Sequence, residues 1–95
     1  MKLVKVVPSH KLDKKLDAVF SDGIREKRVP FGAKGMDDYT ITHDKAQRDR
    51  YRQRHKKDLE TGDPTKAGFL SYYILWGEST SRDENIAKYK KRFSL

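Results

Sequence analysis

Seven cationic side chains crowd one stretch near the middle of the chain: Lys45, Arg48, Arg50, Arg52, Arg54, Lys56 and Lys57. Within that stretch only Asp49 opposes them. Carried on one exposed helix, they form a dense positive surface. A guanidinium group can grip phosphate or carboxylate through two parallel hydrogen bonds, so the matching partner is nucleic acid or an acidic protein face. The plainer reading is a solvated face whose charges partly pair with Asp49, Asp58 and Glu60. Contact with an anionic partner is the expectation, and the pattern does not choose the anion.

Lys34 is the remaining candidate for anion contact. It stands in Gly32-Ala33-Lys34-Gly35, expected to be a backbone turn that needs its glycines. This is not a phosphate-binding P-loop, because G-x-x-x-x-G-K-[ST] is absent. It spells the G-x-x-G of a KH domain, but that loop joins two helices and this one follows a strand. Lys88, Lys90, Lys91 and Arg92 near the C-terminus have a structural reason of their own, since cations suit the negative end of a helix dipole. Lys2, Lys5, Lys11, Lys14 and Lys15 read as solvated strand faces and turns.

Other residues capable of chemistry fall into no constellation. Phe69, Tyr72, Tyr73 and Trp76 could stack bases, but their helical spacing beside aliphatic neighbours reads as core. His10, His43 and His55 are scattered without metal-ligand spacing; His43 is placed at a helix start and His55 on a half-buried stripe. Asp37 and Asp38 read as loop residues. There is no nucleophile motif, no metal triad and no cofactor loop, so the expectation is a binding protein without catalytic, metal or cofactor residues.

The elements that must position these residues come in two groups. Leu3–Val7 reads as an edge strand stopped by Pro8. Leu16, Ala18 and Phe20 alternate with Lys15, Asp17 and Val19, the period of a second strand. Asp22-Gly23 then signals a hairpin, and Ile24–Phe31 returns as a third strand. Met36–Ile41 reads as an irregular connection. Asp44, with Gln47 three residues on, caps a first helix running from Lys45 to about Glu60 and stopping near Gly62. Its apolar stripe, Tyr51, His55 and Leu59, is thin. Asp63-Pro64 starts a second helix that reaches Trp76 and is apolar nearly all round, hence central. Ser81-Arg82-Asp83-Glu84 is a capping box for a third, with Ile86, Tyr89 and Phe93 on its inner side. Strands first and helices after argue an α+β fold: a three-stranded antiparallel sheet followed by three helices.

Length and charge agree with this. The 95 residues suit one domain, 1–95. A domain of this size is marginal alone, and docking onto a larger assembly would add burial. Charged residues reach 38% against 35% hydrophobic, but the apolar ones cluster in runs that read as structure rather than disorder. The formal net charge is +8, which favours polyanionic partners. With no cysteine, there is no disulfide framework, which fits a reducing compartment. Met1–Pro8 is too short and too interrupted for a signal peptide. The longest mainly apolar stretch, Ala67 to Trp76, falls well short of the roughly 20 residues of a membrane span.

A set of islands resembles a known family. Val29–Thr40 reads VPFGAKGMDDYT; then come His43-Asp44, Arg50-Tyr51, Arg54-His55, Asp63-Pro64-Thr65, Ala67-Gly68, Ile74-Leu75-Trp76, Asn85-Ile86 and Lys90-Lys91-Arg92-Phe93. Together they resemble short basic proteins encoded by nucleocytoplasmic large DNA viruses of eukaryotes, an uncharacterised family. The resemblance covers Val29 to Phe93, apart from the loop between Glu78 and Asp83. It implies a viral setting and carries over no catalytic residue. Two functions follow as expectations. One is a minor virion component, capsid-associated or internal, present in the particle and in host cytoplasm or nucleus during assembly. The alternative is a non-catalytic nucleic-acid-binding protein acting through the basic helix 45–57.

Overall fold

A computed structural model describes residues 1–95. Strand β1 is Lys2–Pro8, β2 is Lys14–Ser21 and β3 is Glu26–Ala33. They form one antiparallel sheet in the order β1-β2-β3, and the helices follow, so the fold is α+β. Leu16, Ala18 and Phe20 of β2 enter the core as their alternation requires. Asp17 and Val19 between them are also fully closed off, so β2 is buried on both faces. In β1 the pairing shifts between Leu3, opposite Phe20, and Lys5, opposite Val19. This bulge leaves Val4 as the extra residue, 52% exposed, and keeps Leu3 in the core.

The Asp22-Gly23 hairpin is present. Asp22 Oδ1 accepts the N–H groups of Ile24 and Arg25 at 2.9 and 2.8 Å, and Gly23 takes φ +94°. Those two donors hold the Asp22 carboxyl below its ordinary value. The expected break at Gly32 is not there. Strand β3 continues to Ala33, paired with Lys14. Gly32 serves a close approach instead: a Cβ at that position would lie 2.7 Å from Leu75 Cδ1, and its φ is +78°. The turn falls one step later, at Lys34-Gly35.

The connection after it is not wholly irregular. A short helix, α1 (Tyr39–Thr42), forms there because Asp38 caps it. Helix α2 is Lys45–His55, with Asp44 Oδ1 accepting the Gln47 N–H at 3.1 Å. The expected return bond of the capping box is absent: Gln47 turns to the Thr42 hydroxyl. Beyond His55 the chain tightens into a 3-10 helix, Lys56–Thr61, closed by Gly62 at φ +66°. His43 ends α1 rather than starting a helix, at φ +57°.

Asp63-Pro64 does not start the next helix. Asp63 Oδ1 accepts from the Thr65 N–H and hydroxyl at 2.9 and 2.7 Å, a side-chain turn that competes with helical capping. Helix α3 begins at Ala67, runs to Leu70, and continues as a π-helical turn, Ser71–Leu75. The N–H of Trp76 closes that turn on the Ser71 carbonyl, five residues back, at 3.0 Å. This apolar segment is central as expected: Phe69, Leu70, Ile74, Leu75 and Trp76 are buried against the sheet residues Leu3, Phe20 and Phe31. Helix α4 is Arg82–Arg92, capped by Ser81, with Tyr89 in the core and Ile86 and Phe93 packed at its edge. Asn85 of α4 is buried and satisfied: Nδ2 donates to the carbonyls of Ile74 and Ser79 at 2.9 and 2.7 Å, and Oδ1 accepts the Ser79 N–H at 3.0 Å. The Tyr89 hydroxyl donates to the Pro64 carbonyl, and burial pushes its ionisation well above the ordinary range. No helix is long and apolar enough to cross a membrane.

Candidate anion-binding face and groove

Helix α2 has no fully buried residue, so its attachment decides which cations face outward. One anchor is aromatic. Tyr51 stacks on Trp76 with ring centroids 4.3 Å apart and planes 9° from parallel, and His55 stacks on Tyr51 at 4.1 Å and 20°. The second anchor is cationic. Arg48 Nε donates to the Gly77 carbonyl at 2.7 Å, and its guanidinium lies 5.5 Å from the Tyr39 ring centroid. Arg52 Nη1 donates to the Trp76 carbonyl at 2.8 Å, with its guanidinium 4.2 Å from the Tyr72 centroid. These carbonyls stand where α3 and its π turn end and no helical donor follows. A cation there satisfies their lone pairs and the negative end of the dipole together.

The seven candidates therefore divide. Arg48 and Arg52 are turned inward, and Arg48 also pairs with Asp49 at 3.2 Å. Lys45, Arg50, Arg54, Lys56 and Lys57 are exposed and pair with no carboxylate. Asp58 forms no ion pair with them and meets His55 Nδ1 at 3.0 Å instead. Lys34 is exposed on the turn after β3, also unpaired, and the structure does not draw it into the α2 cluster. Phe69, Tyr72 and Trp76 are core, with Tyr73 half-buried, so they offer no open stacking platform.

Between α2, α3 and the Lys14–Ala33 end of the sheet lies a groove of about 590 Å³. Tyr51, Arg54 and His55 border it from α2, Ser71, Leu75 and Trp76 from the π turn and its end, and Lys14, Lys15, Phe31 and Gly32 from the sheet. Asp37, Asp38, Gln47 and Asp58 add to its polar lining. Burial raises the Tyr51 phenol above its usual value and the Asp58 charge adds to this, while the Ser71 hydroxyl and Arg54 pull the other way. The Tyr51 hydroxyl therefore stays un-ionised at neutral pH.

Lys15 and Asp38, expected to be a solvated lysine and a loop acid, are the groove's most tightly held pair. Lys15 Nζ donates to Asp38 Oδ2 at 2.6 Å, with side chains only 12% and 1% exposed. Asp38 Oδ1 accepts from the Thr40 N–H at 2.9 Å and from its hydroxyl. The Asp38-Tyr39-Thr40 spacing is a local capping pattern and could have flagged the helix. Nothing local marks Lys15 as the partner, 23 residues away.

A second set brings serine, histidine and aspartate together at the start of β2. Ser9 Oγ donates to Asp17 Oδ1 at 2.6 Å, and the His10 ring Nδ1 and backbone N–H both meet Asp17 Oδ2. Arg28 Nη1 stands 3.5 Å from the same oxygen. Serine and histidine both bond the carboxylate and not each other, so this wiring does not activate the serine. Burial alone would raise the Asp17 carboxyl, but the Ser9 and His10 hydrogen bonds and the His10 charge outweigh it and hold it at about 2. No group of three or more His, Asp or Glu side chains is placed to hold a metal ion.

A family model matches residues 4–55: the family of unknown function DUF5754. That is more than half of the 95 residues, and the chain belongs to this family. The match takes in the sheet from Val4 onward, α1 and α2, hence Lys14, Lys15, Asp38, Tyr51, Arg54 and His55 of the groove. It begins well before Val29, where the resemblance drawn from the sequence starts. No curated protein and no solved structure matches the chain.

Proposed function

We propose that this chain is a small basic binding protein of a large DNA virus, a minor, non-catalytic component of the virion that meets an anionic partner through α2. The observation that carries the anionic partner is the set Lys45, Arg50, Arg54, Lys56 and Lys57, exposed and without carboxylate partners. Unpaired cations along α2 and the 3-10 turn that follows it repel one another, and a polyanion relieves that repulsion while releasing its own counterions. The viral setting is supported by the sequence resemblance alone. Mass spectrometry of purified particles of the encoding virus tests it: the chain is expected in the particle, and its absence overturns the virion reading.

The second reading is a nucleic-acid-binding protein acting through the same face. The aromatic column bordering the groove favours it, because stacking rings beside cations are how proteins hold unpaired nucleotides. Each phosphate neutralised steepens the log-log salt dependence of affinity by about 0.9 on a duplex and about 0.7 on a single strand, so engagement of all five cations gives a slope of about −4.5 or about −3.5. Salt-insensitive or undetectable binding by the purified protein refutes this reading and leaves an acidic protein face as the partner.

A further inference from the structure

The geometry points to the groove between α2 and the sheet as a pocket for one unpaired nucleotide of a single-stranded nucleic acid, an inference that rests on the nucleic-acid reading above. Three features carry it. The first is the ring column. Trp76 is buried, Tyr51 is half-buried on it, and His55, 39% exposed, is the solvent-ward end, with all three rings bordering the groove. A planar base adds to such a column with the geometry the rings already have, and histidine is a competent stacking partner.

The second feature is charge. Lys15 and Asp38 balance each other within the walls, and Asp58 meets His55 Nδ1 at 3.0 Å while keeping its own negative charge. Lys14 from β2 and Arg54 from α2 border the groove without a carboxylate partner, one on each side. Asp37, exposed at the rim, and Asp58 are the carboxylates that stand against them. A phosphate passing between the walls can meet both cations. The third is size: about 590 Å³ accommodates a base with its sugar, within the range of small-molecule sites. A duplex hides its ring faces inside the stack, so only an unpaired base can use the column. An acidic peptide would use the cations and leave the rings idle.

Trp76 is the single tryptophan and sits in the column, so its fluorescence reports occupancy. The probes are a short oligothymidine and an abasic oligomer of the same length and charge, titrated at low and moderate salt. Oligothymidine is expected to bind about tenfold more tightly, the contribution of one stacked base, and to change Trp76 emission. His55→Ala should close that gap. Arg50→Ala, outside the groove, should weaken both oligomers and preserve it. Circular dichroism confirms that each variant folds, and if His55→Ala does not, the comparison of the two oligomers on the unaltered protein still decides. Equal affinity for both, still falling with salt, overturns the pocket and leaves the cationic face standing. Binding of neither overturns both, and tighter binding of polyglutamate than of either oligomer assigns the face to acidic protein and overturns the pocket.

Discussion

Replacing Arg52 by alanine removes one well-formed hydrogen bond, from Nη1 to the Trp76 carbonyl at 2.8 Å, and a guanidinium 4.2 Å from the Tyr72 ring centroid. A hydrogen bond to a charged group contributes about 1.5–3 kcal/mol. The cation–π contact adds about 0.5–1 kcal/mol at a partly exposed site. Against this, the bond is only partly buried, so water can replace some of it, and alanine is slightly the better helix former. The net cost is about 2 kcal/mol, which for a domain this size lowers the melting temperature by roughly 8–16 °C. Arg50 lies on the same helix but makes no contact of this kind, so Arg50→Ala should change stability by about 0.5 kcal/mol or less. Arg52→Lys should fall between, because a lysine keeps the charge and loses the planar fork. Thermal unfolding followed by circular dichroism measures all three. The division of α2 into anchoring and free cations is refuted if Arg52→Ala melts within a degree or two of the unaltered protein, or if Arg50→Ala is equally destabilised.

Asp38→Asn keeps the cap of α1 but leaves the enclosed Lys15 ammonium without its counter-charge, at a cost of about 3 kcal/mol. Adding Lys15→Met should recover part of this, and urea midpoints of the single and double variants would show no coupling if the pair is unimportant. Asp17 makes stability depend on acid. Its folded-state ionisation, about 2, lies below the 3.8 of the unfolded chain, so its contribution is complete above pH 3.8 and is lost as pH falls through 2. Screening at half-exposed His10 and Arg28 trims it to about 1–2 kcal/mol; Asp17→Asn should flatten unfolding free energy against pH over that window, and an unchanged profile refutes the assignment. Gly32→Ala sets a Cβ against Leu75 Cδ1 at φ +78° and should cost about 1–3 kcal/mol, read as a shifted urea midpoint at constant slope.

Where a residue's partner is close in sequence, the sequence was a good guide. The Asp22-Gly23 hairpin, the Asp44 and Ser81 caps and the burial of α3 each depend on spacings of two to four residues or on one apolar run. Even locally, two solutions can compete: Asp63 uses its oxygen on Thr65, so the expected cap at Asp63 and helix start at Pro64 give way to a turn, and α3 starts at Ala67. Glycine in β3 misled for another reason. A break and a close approach require the same residue, and only the position of Leu75 tells them apart.

The sequence by itself determined the order of sheet and helices, the excess of positive charge and its concentration in residues 45–57, because these follow from composition and short-range periodicity. Only the tertiary structure decided which of the charges are anchored and which are free. Arg48 and Arg52 differ from Arg50 and Arg54 in no local respect. They differ because α2 crosses the end of α3, where carbonyls 29 and 24 residues away from the two arginines lack donors. The groove has the same origin: Lys14, Asp38, His55 and Trp76 meet there because packing folds distant segments together, and no spacing along the chain encodes that meeting.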